Sequence, residues 1–243
     1  MAKERLDKIL VARGMVASRE KAHGLILAGQ VLVAGHPVTK AGHGVAVDAE
    51  ISIRGDTNPY VSRGGLKLAH ALATFAIDVR GATCLDAGAS TGGFTDCLLQ
   101  HGAAQVTAVD VGYGQLAWSL RQDPRVVVLE RTHLRDMLPT ALPALASIVT
   151  LDLSFISLTK IFAAVDRLTT TDAQIIALIK PQFEVGRANV GKGGIVRDEV
   201  ARAQAVQDVI AAATQLHWHH RATTESPIHG ADGNVEFLGH FLK

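Results

Sequence analysis

The sequence predicts an α/β protein in which a small α+β domain precedes a doubly wound parallel β-sheet. From residue 83 onward, short apolar runs alternate with helical patterns, which is the order of a parallel sheet covered by helices on both faces. Before residue 55, two helical patterns are followed by short strands. The chain has 243 residues, of which 48% are hydrophobic, and this is ample for one or two buried cores.

The amino-terminal domain, predicted over residues 1–58, begins with two helices. Gly14 ends the first helix, Ser18 is a suitable N-cap for the second, and Gly29 ends that second helix. Short strands are predicted to follow. The apolar positions that define these elements are Leu6, Ile9, Leu10, Ala22, Leu25, Ile26, Val31, Leu32, Val33, Val45, Val47, Ile51 and Ile53.

Residues 55–61 are polar and rich in turn-forming residues, so we predict that they link this domain to a second one over residues 59–243. Charge is also unevenly distributed. Residues 1–67 contain ten Lys+Arg and six Asp+Glu, a net +4, whereas the remainder contains fourteen and seventeen, a net −3. A basic amino-terminal part on a near-neutral body is typical of an RNA-binding module on an enzyme, although composition alone can produce such a difference.

The sequence favours a reducing compartment. Its two cysteines, Cys84 and Cys97, form no C-x-x-C motif, which argues against a disulfide framework. The first ten residues carry charges where a signal peptide would be apolar, and no run approaches eighteen apolar residues. We therefore expect a cytoplasmic protein without a membrane partner.

The second domain is predicted to contain six strands and five helices. Strands are predicted over residues 83–87, 106–110, 126–129, 148–152 and 175–179, with a last strand near 236–241. Helices are predicted over about 62–75 and over 93–100, 115–121, 158–168 and 199–216.

A glycine-rich segment, LDAGASTGGFTD at residues 85–96, lies where the first of these strands ends and a helix begins. In doubly wound sheets this position is a ligand site. Its G-x-x-x-G-G spacing differs from the G-x-G-x-x-G of dinucleotide-binding proteins, which favours a nucleoside cofactor over NAD. Asp110 follows Gly88 by 22 residues, at the end of the next strand, where a carboxylate can accept hydrogen bonds from both ribose hydroxyls. The alternative is a tight turn needed only for packing.

Two other motifs are weaker. GRANVGKGG at residues 186–194 contains G-x-x-x-x-G-K, but Gly193 replaces the Ser/Thr that would hold magnesium, so we reject a phosphate-binding loop and expect a loop that closes over the substrate. The run from His217 to His220 suggests a metal site, but consecutive strand residues point to opposite faces and no carboxylate partner is evident. We expect no metal.

Four charged residues stand in apolar stretches: Lys67 in GGLKLAHAL, Asp152 at the end of IVTLD, Lys180 at the end of IIALIK and Glu236 in NVEFLGHFL. Charges at the carboxyl ends of adjacent strands would converge on the crevice that holds the cofactor. Any one of them is easily explained as an ordinary strand-end or surface charge. Together, beside the glycine-rich segment, they predict a catalytic group.

The chain closely resembles the TlyA family of rRNA 2′-O-methyltransferases, which are also labelled haemolysins. Its catalytic part is similar to FtsJ-type methyltransferases, and its amino-terminal domain to the S-four-type RNA-binding domain. The resemblance covers nearly the whole chain. It is carried by RLDKILVARGMVASREKA, YVSRGGLKL, LDAGASTGGFTD, DVGYGQLAW, TLDLSFISL, LIKPQFEVGR, VGKGGIVRD and SPIHGADGNVEFL.

The resemblance implies a Rossmann-like, S-adenosylmethionine-dependent methyltransferase sheet and methylation of cytidine riboses in 16S or in both 16S and 23S rRNA. It also places the family's Lys-Asp-Lys-Glu tetrad at Lys67, Asp152, Lys180 and Glu236. Two positions depart from the family pattern. His133 replaces an Asn in ERTHLRD, and Gly230-Ala231 replaces Gly-Pro.

The resulting site predictions are as follows. We expect the cofactor to be bound by Asp86, Gly88, Ser90, Gly92, Gly93, Phe94, Asp110, His133 and Asp152. We expect RNA contacts at Arg5, Arg13, Arg19, Lys21, Arg63, Lys192 and Arg197, with each also explicable as a solvated surface charge. The partner is ribosomal RNA in 30S and/or 50S subunits, with no DNA partner and a monomer favoured.

The predicted chemistry requires removal of a proton from a ribose 2′-hydroxyl. Lys180 either accepts that proton or stays charged and stabilises the developing alkoxide. Three other functions stay open: a catalytically silent assembly factor, a haemolysin and a base methyltransferase. An intact tetrad argues against the first, and the second has neither an apolar span nor a secretion signal in its favour.

Overall fold

The structure, a computed structural model, describes residues 3–16, 18–54, 58–186, 189–230 and 232–243. The chain divides into two compact units, residues 1–57 and 58–243. Parts of three sequence predictions fall outside the described residues: positions 55–57 of the linker, 187–188 of the second glycine-rich segment, and Ala231.

In the part that the structure describes, the amino-terminal unit contains two helices and five short strands. Ser18 caps the second helix as predicted, because its side chain accepts a hydrogen bond from the backbone N–H of Lys21. The strands form a three-stranded antiparallel sheet, β3-β2-β5, and a separate pair, β1-β4. The elements are β1 Lys3–Arg5, α1 Leu6–Ala12, α2 Arg19–Leu27, β2 Val31–Val33, β3 His36–Pro37, β4 Gly44–Ala46 and β5 Ile51–Ile53.

The second unit alternates strands and helices. Its elements are α3 Gly64–Phe75, β6 Thr83–Ala87, α4 Gly93–Gln100, β7 Gln105–Val109, α5 Trp118–Arg121, β8 Val126–Leu129, β9 Ala146–Leu151, α6 Phe162–Arg167, β10 Thr169–Ile179, α7 Pro181–Glu184, α8 Glu199–Gln215, β11 His219–Glu225 and β12 Phe237–Leu242. Short 3-10 helices lie at Leu134–Asp136, Pro139–Ala141, Leu158–Lys160 and Lys192–Gly194.

These strands form one seven-stranded sheet in the order β11-β12-β10-β9-β6-β7-β8. The pairs from β10 to β8 are all parallel, as predicted. The parallel arrangement predicted from the apolar strands does not continue to the other edge, where β12 runs antiparallel to both β10 and β11. Strand β11 was not predicted, because this edge strand, HHRATTE, is mostly exposed and has no apolar run.

Some boundaries also differ from the predictions. The helix predicted over 115–121 begins only at Trp118, because the preceding loop is held by other bonds, including one from the Gly114 N–H to Glu130. The helix predicted over 158–168 is a 3-10 turn followed by α6. Strand β10 begins at Thr169, six residues before the predicted start at 175.

Apolar side chains are buried on both faces of the large sheet, which explains its continuous apolar strands. One core contains Phe162, Trp218 and Phe241, and the other contains Leu68 and Phe94. Among the described residues, no helix has the length and apolarity needed to cross a bilayer. In that same part of the chain no three His, Cys, Asp or Glu side chains are grouped as metal ligands would be.

Candidate active site

The glycine-rich loop joins β6 to α4 at the carboxyl edge of the sheet and can be built only with glycine at its key positions. Gly88 has a φ of +86°, and a Cβ added there would lie 2.4 Å from the backbone oxygen of Asp152. A Cβ on Gly93 would lie 2.2 Å from the Ser62 hydroxyl oxygen. The loop therefore brings bare backbone close to neighbouring segments and to any ligand bound there.

Asp86 lies beneath this loop and is fully buried. Its two carboxylate oxygens accept hydrogen bonds from the hydroxyls of Thr95 (2.6 Å) and Thr150 (2.9 Å). It is not among the residues that line the cavities described below. Asp86 therefore joins β6, β9 and α4 under the loop, and its contact with the cofactor, directly or through water, stays a prediction.

Burial raises the pKa of Asp86 to about 6, against the opposing effect of the two hydroxyl bonds. Because the folded-state pKa lies above the unfolded one, this group favours folding at low pH, and that contribution is lost as pH rises through about 6. We expect the free energy of unfolding of Asp86→Asn, minus that of the wild type, to increase by about 2 kcal/mol between pH 4 and pH 7. Denaturant titrations at both pH values test this, and a constant difference would contradict it.

A cavity of about 610 Å³ opens beside the glycine-rich loop. Asp110 lies at its edge, where its carboxylate accepts hydrogen bonds from the backbone N–H groups of Ser90 (2.8 Å) and Gly112 (2.7 Å). This fixes the carboxylate toward the cavity while leaving it lone pairs for a ligand. The predicted cofactor residues that line this cavity are Gly88, Ser90, Asp110, His133 and Asp152.

Other residues around this cavity were not identified from the sequence. Phe155, which is 92% exposed, follows the end of β9 and has a φ of +66°. Its position three residues after Asp152 is the signal that could have drawn attention to it. The remaining unpredicted lining residues are Val109, Val111, Gln115, Thr132, Leu134, Arg135, Leu153, Ser154, Ile156 and Ile161.

A smaller cavity of about 290 Å³ also borders the loop and shares Gly88, Ser90 and Asp152 with the larger one. Gly93 and Phe94 line this cavity, together with Arg63 and Lys67. Gly92 lines neither cavity. A Cβ added there would lie 2.3 Å from the Leu120 side chain, which packs against this position. Asp152 lines both cavities and therefore stands where they meet.

The four charged residues predicted from apolar stretches form two close ion pairs. The Lys67 ammonium lies 2.5 Å from Glu236 Oε2, and the Lys180 ammonium lies 2.6 Å from Asp152 Oδ1. Lys180 also donates a hydrogen bond to the Ser154 hydroxyl at 3.0 Å. Lys67, Lys180 and Glu236 are buried. Buried charges are costly unless paired, so their retention at this edge of the sheet favours a functional role.

Two of the predicted RNA-binding cations are ion-paired within the amino-terminal unit. Arg5 and Arg19 both contact the buried carboxylate of Asp7, at 2.9 and 2.7 Å, and His23 contacts it at 3.0 Å. Hydrogen bonds from Arg5 above all hold the pKa of Asp7 far below its usual range. Arg5 and Arg19 therefore have a structural task, although about half of each side chain stays exposed.

The other predicted RNA-binding residues differ in their surroundings. The Arg13 guanidinium donates to the backbone oxygens of Val47 and Ala49, and Arg63 donates to that of His229. Lys21 is half-buried on α2, whereas Lys192 and Arg197 are exposed. Their contacts with RNA stay predictions.

The sheet has one reversed strand, β12, next to its edge and a glycine-rich loop after β6, and this is the architecture of Rossmann-like methyltransferases. A candidate S-adenosylmethionine-dependent methyltransferase from Listeria monocytogenes shares this fold, with a TM-score of 0.52, 18% identity and coverage of 75% of this chain and 99% of that one. This confirms the predicted fold class.

The chain belongs to the FtsJ-like methyltransferase family, whose family model matches residues 60–243, and an S4 domain matches residues 4–51. It is 50% identical to the 16S/23S rRNA (cytidine-2′-O)-methyltransferase TlyA of Mycobacterium tuberculosis (strain CDC 1551 / Oshkosh), over 96% of this chain and 88% of that protein. A solved candidate hemolysin from Streptococcus thermophilus is 41% identical, with a TM-score of 0.78 over 100% of this chain and 89% of the other. The predicted resemblance is therefore confirmed.

Proposed function

We propose that this protein transfers a methyl group from S-adenosylmethionine to the 2′-hydroxyl of a cytidine in ribosomal RNA. The observation that carries this proposal is the position of Asp152, which lines both cavities and pairs with Lys180. A methyl donor in one cavity and an acceptor hydroxyl near the other would meet beside that pair. The cytoplasm, where ribosomal subunits reside, is the compartment that this activity requires.

The larger cavity fits the proposed cofactor. Its volume of about 610 Å³ lies within the range of small-molecule sites, roughly 300–1,000 Å³. Asp110 offers carboxylate oxygens for ribose hydroxyls, and the bare backbone at Gly88 allows close approach. The S-adenosylmethionine that would bind here supplies a methyl group already activated by its sulfonium, so the chain's own residues must align the acceptor and manage its proton.

We assign to Lys180 the role of accepting that proton or of stabilising the charge that its removal leaves. In its amine form it accepts the proton of the 2′-hydroxyl, and the ammonium that results is stabilised by Asp152 at 2.6 Å and Ser154 at 3.0 Å. Alternatively, Lys180 stays charged throughout and stabilises the developing alkoxide, and the hydroxyl proton passes to water. Lys67 and Glu236, themselves paired at 2.5 Å, hold the neighbouring end of the site.

The RNA would be bound by the S4 domain and by groups around the site. Phe155 presents an exposed aromatic ring beside the larger cavity, and such rings stack well on unpaired bases. Its positive φ is uncommon for an aromatic residue and is the kind of backbone strain that concentrates at functional sites.

Removing the Asp110 carboxylate is expected to weaken cofactor binding. Asp110→Ala removes charge-assisted hydrogen bonds to the ribose and releases the N–H groups of Ser90 and Gly112 that shape the loop. We expect the Kd for S-adenosylmethionine, measured by calorimetry, to rise by about 10- to 100-fold. Asp172→Ala removes an exposed carboxylate of β10 that lines neither cavity, and this control should leave the Kd unchanged. Equal Kd values for Asp110→Ala and the wild type would contradict the assignment.

The proposal is tested by incubating the full chain with tritium-labelled S-adenosylmethionine and unmodified 30S or 50S subunits. Incorporation of label into rRNA supports it, and the labelled subunit identifies the substrate. Subunit binding without incorporation would favour the assembly-factor alternative. If the protein neither binds nor labels either subunit, the assignment of ribosomal RNA as substrate is refuted.

A further inference from the structure

The turn that follows Lys180 is bonded to the loop that follows Asp152. Four residues after Lys180, at the end of α7, Glu184 accepts a hydrogen bond from the Ser157 hydroxyl at 2.6 Å. Its other carboxylate oxygen accepts one from the backbone N–H of Leu158 at 2.9 Å. Because Lys180 contacts Asp152 and Ser154, residues 180–184 hold residues 152–158 at both ends.

Phe155 lies between these two attachment points. Its φ of +66° is rare for an aromatic residue, and such a backbone persists only where the surroundings hold it. The ring of Phe183, the residue before Glu184, contacts the ring of Phe155, with 5.3 Å between the two ring centroids. The hydrogen bonds of Lys180 on one side and Glu184 on the other are the polar contacts that fix this loop against α7.

We propose that Glu184 is a positioning residue for methyl transfer: by holding Ser157 and Leu158 it keeps Phe155 and Asp152 in the arrangement that faces the acceptor nucleotide. The activity readout of this inference rests on the proposed function. Glu184 itself is not among the residues that line either cavity, so it acts through the loop and not by touching the substrate.

The environment of Glu184 supplies a pH signature. Burial raises the pKa of its carboxyl and the Asp208 carboxylate on α8 raises it further, whereas the bonds from Leu158 and Ser157 lower it. Ser157 and Leu158 contribute only neutral groups, and Lys180 stands at the other end of the same turn. On acidification Glu184 is therefore protonated earlier than an ordinary glutamate, it loses acceptor capacity, and its hold on the loop weakens.

The first test is amide hydrogen exchange on the full chain, without RNA. We expect Glu184→Ala to accelerate exchange at least tenfold in a peptide containing Leu158, while peptides from β6 and β7 keep wild-type protection. Glu184→Gln retains one acceptor oxygen for the Leu158 N–H, as protonated Glu184 does, and should show an acceleration between those of wild type and Glu184→Ala. Unchanged exchange in Glu184→Ala would overturn the proposal whether or not the protein methylates rRNA.

The second test is methyl transfer to the subunit that the wild type labels. Glu184→Ala is expected to lower kcat at least tenfold and to raise the Kd for S-adenosylmethionine by a smaller factor, because residues 152–156 also line the larger cavity. Glu184→Gln, which resembles the protonated carboxyl, should give an intermediate rate at pH 7.5. In the wild type, protonation of Glu184 contributes to the fall of kcat as pH is lowered. Glu184→Gln has no carboxyl at this position and should lack that contribution. Asp208→Asn removes an exposed carboxylate whose charge raises the pKa of Glu184. The fall of kcat at acid pH should therefore begin at lower pH than in the wild type, while kcat at neutral pH stays the same.

The outcomes separate the two proposals. If kcat and cofactor affinity fall in parallel in Glu184→Ala, or the pH profiles of wild type and Glu184→Gln coincide, the positioning role is refuted. If the wild type labels neither subunit, the proposed function fails, and the exchange measurement still decides whether Glu184 holds the loop.

Discussion

Lys180→Ala is expected to reduce methyl transfer to rRNA by at least about 10³-fold, within the range that loss of an acid–base group produces. The variant removes the ammonium that contacts both Asp152 and Ser154, so the acceptor hydroxyl loses its proton acceptor or its stabilising charge. The measurement is single-turnover transfer at saturating cofactor, which separates chemistry from binding.

Two comparisons make this result specific to catalysis. The Kd for S-adenosylmethionine should stay within about threefold of wild type, because Lys180 does not line the larger cavity. Lys160→Ala, which removes an exposed lysine outside both cavities, should transfer at the wild-type rate. A Lys180→Ala variant with more than a tenth of the wild-type rate would show that another group handles the proton.

Gly88→Ala is expected to disrupt both stability and cofactor binding. The new methyl group would lie 2.4 Å from the backbone oxygen of Asp152 and 2.9 Å from its carbonyl carbon, and neither atom can rotate away as a side chain could. The residue would also have to keep a φ of +86°. Together these effects should lower the free energy of unfolding by roughly 3–5 kcal/mol, measured by denaturant titration of the full chain.

Gly81→Ala is the matched control for this variant. Gly81 also has a positive φ, +70°, but a Cβ there would have nothing within 4 Å. It should therefore show only the backbone cost of about 1 kcal/mol and a normal Kd for S-adenosylmethionine. Equal destabilisation in the two variants would mean that contact with Asp152 is not what requires glycine at position 88.

Much of the site was predictable because its residues conflict with their surroundings. Lys67, Lys180 and Glu236 are charged residues within apolar stretches of the sequence. Apolar stretches are usually buried, and all three side chains are indeed buried. Gly88 and Asp110 are recognisable because strand ends in doubly wound sheets gather at one edge. Lys67, Gly88 and Asp110 line two adjoining cavities. Lys180 and Glu236 line neither cavity but are ion-paired with Asp152 and Lys67, which do, and the chemical roles of all these residues stay predictions.

The features that the sequence did not reveal depend on tertiary contacts. Phe155 and Glu184 lie in a loop and a short turn without periodicity, and their importance comes from bonds between segments more than twenty residues apart. Asp86 has the expected position, yet only the structure shows that Thr95 and Thr150 occupy its oxygens. Strand β11 is polar because it lies at the edge of the sheet, so it lacks the apolar pattern by which strands are recognised.

The most direct test of the central claim is the chemical position of the transferred methyl group. A ribose without a free 2′-hydroxyl cannot assist cleavage of its own 3′-phosphodiester, so rRNA labelled by the wild type should be analysed after complete alkaline hydrolysis. We predict that the label is recovered in an alkali-resistant dinucleotide whose 5′ residue is 2′-O-methylcytidine. Label recovered in a mononucleotide would place the methyl group on a base and contradict the account.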